Sequence, residues 1–258
     1  MAALVLAGCA TSGAGVEVRD GEAAASLPIP PLQRGDQESG RRIFHLTAQQ
    51  GMHQFGPGLD SATKGFDGTY LGPTLLMRRG EDVQVDVRNE LDQMTTVHWH
   101  GLHVPALMDG GPHQMIAPGA TWQPRWRVDQ PASTLWYHPH PHGQTAQQVY
   151  EGLAGLLLVE DPAAAPAGLP HQYGVDDVPL VVQDKTFTDS GELVVDPVGK
   201  ASTGFLGDTI VVNGATGPYR EVTTEAVRLR LLNASNARFY DFAFDDSRTF
   251  QVIASDGG

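Results

Sequence analysis

Two H-x-H pairs, His98-Trp99-His100 and His138-Pro139-His140, are the residues whose types and spacing could do chemistry in this chain. Each pair lies in a stretch that reads as β-strand, where side chains alternate between faces and residues i and i+2 project the same way. Trp99 and Pro139 then face away, and four imidazoles can converge on one small volume. Imidazole suits copper, zinc, iron and nickel, and a cluster with no nearby thiolate or paired carboxylate leans towards copper or zinc. A single H-x-H pair is also what chance places on a solvated strand, or what binds a stray surface zinc. Here there are two, each preceded by strand-like residues and followed by glycine, Gly101 directly and Gly143 after His142. That repetition argues for a built metal centre.

The elements that must position these histidines are strands. The 258 residues include 30 glycines and 18 prolines with few long helical periods, which points to many turns and short strands. Val83-Gln84-Val85-Asp86-Val87 alternates cleanly, as do Trp122, Pro124, Trp126 and Val128, and the apolar run from Leu153 to Val159 suits a buried strand. Asp161 to Pro170 is rich in proline and alanine and reads as a linker. Beyond it, Val178 to Val182, Thr209 to Val212 (before Asn213-Gly214) and Val227 to Leu231 read as further strands. A faint repeat accompanies them. Gly72-Pro73-Thr74-Leu75, followed by the strand that ends at Asn89, is echoed by Gly207-Asp208-Thr209-Ile210, followed by Val227 to Asn233. The expectation is an all-β chain built of sandwiches. Its parts are a leader and flexible tether over 1–34, a first sandwich over 35–162, a linker over 163–176 and a second sandwich over 177–258.

The net charge of −13 gives no footprint for nucleic acid. An acidic field favours solubility and attracts cations, copper ions among them. The one cysteine, Cys9, excludes an internal disulfide, and it excludes a blue-copper centre made by this chain, which needs a thiolate beside two histidines. Leu6-Ala7-Gly8-Cys9, after a short apolar run from Met1, resembles the lipobox of bacterial lipoproteins. The run is too short to span a bilayer and lacks the positive start of a signal peptide, so an ordinary apolar leader with an incidental cysteine is the other reading. Either way the expected location is outside the cytoplasm, periplasmic or at the cell surface, with a lipid anchor at Cys9 in the first case.

Thr96-Val97-His98-Trp99-His100-Gly101-Leu102 and Trp136-Tyr137-His138-Pro139-His140-Pro141-His142-Gly143 resemble the first two copper motifs of the multicopper oxidases. The resemblance runs on through Asp109-Gly110-Gly111-Pro112, Val128-Asp129-Gln130-Pro131, Gly152-Leu153-Ala154-Gly155-Leu156, the stretch from Asp177 to Gln183-Asp184-Lys185, and Ile253 to Gly258. It is strongest to the bacterial periplasmic, laccase-like branch that includes the cuprous oxidases. The resemblance implies cupredoxin-like Greek-key sandwiches, three in a complete protein, of which this chain holds one complete and a second truncated. It implies one-electron oxidation of a small reductant, Cu(I) or a phenol, coupled to four-electron reduction of dioxygen to water. Carried over residue by residue, His98 is a ligand of the type 2 copper, His100 and His138 serve one type 3 copper, and His140 serves the other. The remaining ligands of this trinuclear cluster and the type 1 copper are expected in the missing C-terminal domain. Asp109 matches an acidic residue that relays protons to the cluster. On its own residues it reads equally as a turn aspartate before glycine. His142 is not a ligand in the family pattern, His103 and His113 read as loop residues, and His45, His53 and His171 carry no signal.

Three other readings stand beside the oxidase. One is an exported copper-binding protein without turnover. Another is a structural relative, like the cupredoxin-fold division proteins that have lost their copper ligands, and the four histidines argue against it. A copper nitrite reductase needs a His-Cys motif in its first domain, and none is present. The six methionines form no cluster that would name Cu(I) as the donor.

Overall fold

The computed structural model describes residues 4–8, 25–163, 168–195 and 204–255. Cys9, and with it the lipobox reading, lies outside them. Among the described residues the regular structure is almost all strand, as the composition predicts, and two mixed sheets face each other over residues 32–160. One sheet contains Asp36–Glu38, Arg41–Gln54, Asp60–Phe66, Asp82–Asn89, Thr121–Trp122 and Arg125–Arg127. The other contains Leu32–Gln33, Thr74–Arg78, His98–His100, Ser133–His138 and Gly155–Glu160. The strict alternation of Val83, Val85 and Val87 buries all three between the sheets, against Phe44, Leu46, Met77 and Trp99. Gly155–Glu160 shows no alternation for a structural reason. It is an inner strand, parallel to Thr74–Arg78 and antiparallel to Ser133–His138, with Leu157 in this core and Leu156 packed with Val181 and Ala234 on the other side.

A further sheet, Asp177–Lys185, Thr209–Val212, Ala215–Thr216 and Arg228–Asn233, has its own core of Val178, Leu180, Val182 and Val212. The second part of the sequence repeat has a structural counterpart, whereas the first does not: Thr74–Arg78 lies in the sheet opposite Arg41–Gln54, and Thr209–Val212 pairs with Asp177–Lys185. Asp82–Asn89 runs parallel to Arg41–Gln54, and Arg228–Asn233 runs parallel to Asp177–Lys185. Both strands end on an asparagine that makes the same bonds. Asn89 Oδ1 accepts from the Leu91 amide and Asn233 Oδ1 from the Ser235 amide, each at 3.0 Å. Their Nδ2 atoms donate to the carbonyls of Gln93 and Arg238, each at 2.8 Å.

Three expectations are corrected. Residues 25–34 are not a free tether: Leu27 is buried in the second core, its amide bonds the Tyr219 carbonyl, and Leu32–Gln33 pairs with Thr74–Leu75. The composition there resembles a linker, but Leu27, Ile29 and Leu32 supply apolar anchors between prolines that hold the backbone extended. The run from Trp122 to Val128 is two short strands rather than one. The second histidine pair is also not wholly in a strand. Pairing stops at His138, and Pro139 has no amide with which to continue it.

Gln183, Asp184 and Lys185 form a row of buried polar residues at the end of the strand Asp177–Lys185. Burial pushes the Lys185 amine down to about 7, against the opposing pull of Asp184 and Glu151. An unfolded lysine keeps its proton to about pH 10.4. Between these values the unfolded chain binds more protons than the folded one, so this group adds stability as pH rises. The denaturation midpoint should therefore rise from pH 7 to 9.5 by an increment that Lys185→Met removes. Parallel profiles for the two proteins would show that Lys185 keeps its charge in the fold.

Candidate metal centre

The centre is built on one antiparallel pair. His98–His100 lies against Ser133–His138 with His98 opposite His138, Trp99 opposite Tyr137 and His100 opposite Trp136. Opposed residues share a face, so His98, His100, Trp136 and His138 stand together on one side and Trp99 and Tyr137 on the other. Trp99 and Tyr137 are fully buried in the core, the Trp99 indole N–H donating to the Met108 carbonyl at 3.0 Å and the Tyr137 hydroxyl to that of Pro73 at 2.7 Å. Gly72 and Gly155 make room for the tyrosine, since a Cβ at either would lie 2.3 Å from its ring or hydroxyl. The histidine face is thus the outer side of a rigid, aromatic wall.

One nitrogen from each of His98, His100 and His138 falls within 4.8 Å of the others. His138 Nδ1 donates to the Pro139 carbonyl at 2.8 Å, and His98 Nδ1 donates to the Asp109 carbonyl at 3.0 Å. Each ring so fixed is left with Nε2 as its lone pair, the arrangement that orients metal-ligating histidines. His138 Nε2 lies 3.3 Å from His100 Nδ1. At that spacing His100 and His138 together would hold one ion. Burial first, then the rings of His98, His100 and His140, push the His138 pKa down to about 3 against the pull of its bond to Pro139. His138 therefore stays a neutral imidazole at ordinary pH. Among the described residues the converging donors are all imidazoles, a set that fits copper or zinc.

His140 stands at the rim. It is exposed, with its ring 5.5 Å from that of His98 and 6.1 Å from that of His138, and it is not one of the three converging donors. Its amide donates to Thr96 Oγ1 at 2.6 Å. Asp109 lies behind His98, with its carboxylate 3.3 Å from His98 Nδ1 and partly exposed. Gly110 explains how the loop gets there: at φ +75° it passes so close to Val97 that a Cβ would sit 1.7 Å from the Val97 carbonyl. His103, His113 and His142 are exposed.

Sequence reasoning missed four side chains around the centre. Trp136 stacks on His138 with centroids 4.0 Å apart and lies 5.3 Å from His100. The i−2 rule that linked the histidines also places it on their face. Gln148 is buried in a short helix, Thr145–Tyr150, and Thr95 and Thr96 precede the first pair; only their place beside the motifs hinted at a role. His53, left without a role, stacks on Tyr70 and donates from Nε2 to the Gly214 carbonyl at 2.8 Å, joining the two cores.

A family model described as multicopper oxidase matches residues 47–164, which include every residue of the centre. A cell division protein FtsP from Sodalis glossinidius is 43% identical over 96% of this chain and 52% of its own length. A multicopper oxidase, mco, from Staphylococcus haemolyticus is 44% identical over 85% of this chain and 48% of its own. Among solved structures, a laccase-like multicopper oxidase from Ochrobactrum sp. superposes with a TM-score of 0.75 at 45% identity, over 81% of this chain and 46% of that one. A multicopper oxidase from Pediococcus acidilactici gives 0.79 at 37% identity, over 83% and 46%. The chain spans about half the length of the curated relatives it matches. With its all-β sandwich architecture, its matched domain and these relatives, the chain belongs to the multicopper oxidase family.

Proposed function

We propose that this chain supplies the N-terminal half of the copper cluster in an oxidase that couples one-electron oxidation of a small reductant to the reduction of dioxygen to water. The observation that carries the reading is the convergence of His98, His100 and His138 within 4.8 Å, with His140 at the rim. In this reading His98 holds the type 2 copper, His100 and His138 together hold one type 3 copper, and His140 serves the other. The 3.3 Å approach of the His100 and His138 nitrogens supports their sharing an ion. Bound copper would supply single-electron redox chemistry, and four electrons and four protons complete each dioxygen. The protein's own part is to hold neutral donors without adding negative charge, to fix the ring of His98 through the Asp109 carbonyl, and to keep the Trp99 side dry. Export beyond the cytoplasm and a reductant such as Cu(I) or a phenol belong to the same proposal. A site for the type 1 copper would come from outside these residues, whose only cysteine is Cys9.

A second reading is an exported copper-binding protein of the same fold without turnover; relatives described as cell division protein FtsP stand as near in sequence as those described as multicopper oxidase. Sequence identity does not separate the two, since both kinds of relative stand at 43–44%. Oxygen uptake by the protein at the length of its relatives does: sustained copper-dependent consumption with Cu(I) or a phenol supports the oxidase, and stoichiometric copper binding without uptake supports the alternative. Asp109 offers a finer test. The 3.3 Å approach of its carboxylate to His98 Nδ1 supports a role in proton delivery, on which Asp109→Asn should slow reoxidation by about 10²–10⁴-fold, the usual worth of a positioned acid or base. Copper content should stay intact. Unchanged reoxidation across pH would leave Asp109 with its carbonyl's role alone.

A further inference from the structure

The buried polar run Gln183-Asp184-Lys185 lies on a strand that carries none of the four histidines. Alternation along Asp177–Lys185 puts Gln183 and Lys185 on one face and Asp184 on the other. Asp184 stays with its own region, accepting from the Gly207 amide at 2.8 Å and from Arg238 at 2.9 Å. Gln183 and Lys185 reach instead to the helix Thr145–Tyr150. Gln183 Nε2 donates to the Val149 carbonyl at 3.2 Å and the Ala234 carbonyl at 3.3 Å, and its Oε1 accepts from the Tyr70 hydroxyl at 2.5 Å. Lys185 Nζ donates to the Tyr150 carbonyl and lies 4.2 Å from the Tyr150 ring centroid.

That helix directly follows the second histidine pair. Six residues close too few hydrogen bonds to stand alone, and the helix has neither a side-chain cap at its start nor a basic residue in its last turn. An amine from elsewhere at the carbonyl end satisfies an orphan acceptor. From inside the helix, Gln148 bonds the first histidine segment: its Nε2 donates to the Met94 carbonyl at 2.9 Å, and its Oε1 accepts from Thr95 Oγ1 at 2.7 Å. Thr96, next in line, accepts from the His140 amide. A continuous set of bonds therefore runs from the strand Asp177–Lys185, through the helix, to both segments that carry the histidines.

We propose that Gln183 and Lys185 are positioning residues for the histidine centre: they hold the carbonyl end of the helix Thr145–Tyr150, and through Gln148 the helix keeps the two histidine segments in register. The inference rests on the reading of the centre as a copper site. It assigns the second sandwich a part in the centre that does not require any ligand from it.

The 258-residue chain loaded with Cu(II) tests this by chelator competition and amide hydrogen exchange. Lys185→Met and Gln183→Met should each weaken copper binding roughly tenfold, a typical coupling between linked sites, and speed exchange at Glu151, Gly152 and Leu153 by a similar factor. Those amides close the last turn on Gln147, Val149 and Gln148. Thr134→Val cuts another contact between the same two regions, to Arg230, and should change neither. Wild-type copper affinity and exchange in both methionine variants would overturn the inference, as would equal weakening by Thr134→Val. Coupling is reciprocal. Even should the variants not fold, Cu(II) added to the unaltered chain must slow exchange at these three amides, and no slowing would overturn the inference. An unaltered chain that binds no copper through its histidines contradicts the proposed function instead.

Discussion

Replacing His138 by alanine is expected to strip the centre of tightly held copper, lowering affinity by more than about 100-fold. Changing a residue that merely supports a ligating histidine costs roughly 10–100-fold, and in the proposed cluster His138 is itself a ligand. Its ring is the hinge of the site: it is buried, its tautomer is set by the Pro139 carbonyl, and its Nε2 faces His100 at 3.3 Å. His142, two residues past His140 and exposed, is the matched control. His142→Ala should retain copper in the same chelator competition. Equal retention by the two variants would remove His138 from the ligand set.

The second large effect is on stability. Trp99 is fully buried among Trp122, Trp126 and Tyr137, with its indole nitrogen bonded to the Met108 carbonyl. Trp99→Ala should destabilise the first sandwich by about 3–5 kcal/mol, the usual range for emptying a large aromatic site. That is a large share of the roughly 5–15 kcal/mol that holds an ordinary domain together. Trp99 touches the site only from behind, so folded Trp99→Ala protein at low temperature should still bind copper with the same spectrum. A loss under about 1 kcal/mol, measured by urea denaturation, would mean that the wall behind the histidines is not part of the core.

Much of this was legible in the chain. The period of two was enough to bring His98, His100 and His138 to one face, because all three sit in paired strands. It carried less far at His140, where proline ends the pairing and the ring, 5.5 Å from that of His98, is exposed at the rim. Val83, Val85 and Val87 announced their strand, whereas Leu153 to Val159 could be read only as buried, since an inner strand shows no alternation. The helix Thr145–Tyr150 was not legible: six residues are too few to show a helical period. Nor was the role of residues 25–34, whose prolines mimic a linker while Leu27 anchors it in a core. Gln148, Gln183 and Lys185 were hidden for another reason. Their bonds to other elements reach across 34 to 113 residues, and local pattern carries no information about such pairs.

If His98, His100, His138 and His140 form a copper-binding face, electron paramagnetic resonance of the 258-residue chain with one equivalent of Cu(II) shows a bound, non-blue copper signal with nitrogen hyperfine structure from several imidazoles, lost in the His100→Ala, His138→Ala double variant. A signal without nitrogen coupling, or one that the double variant leaves unchanged, would contradict it.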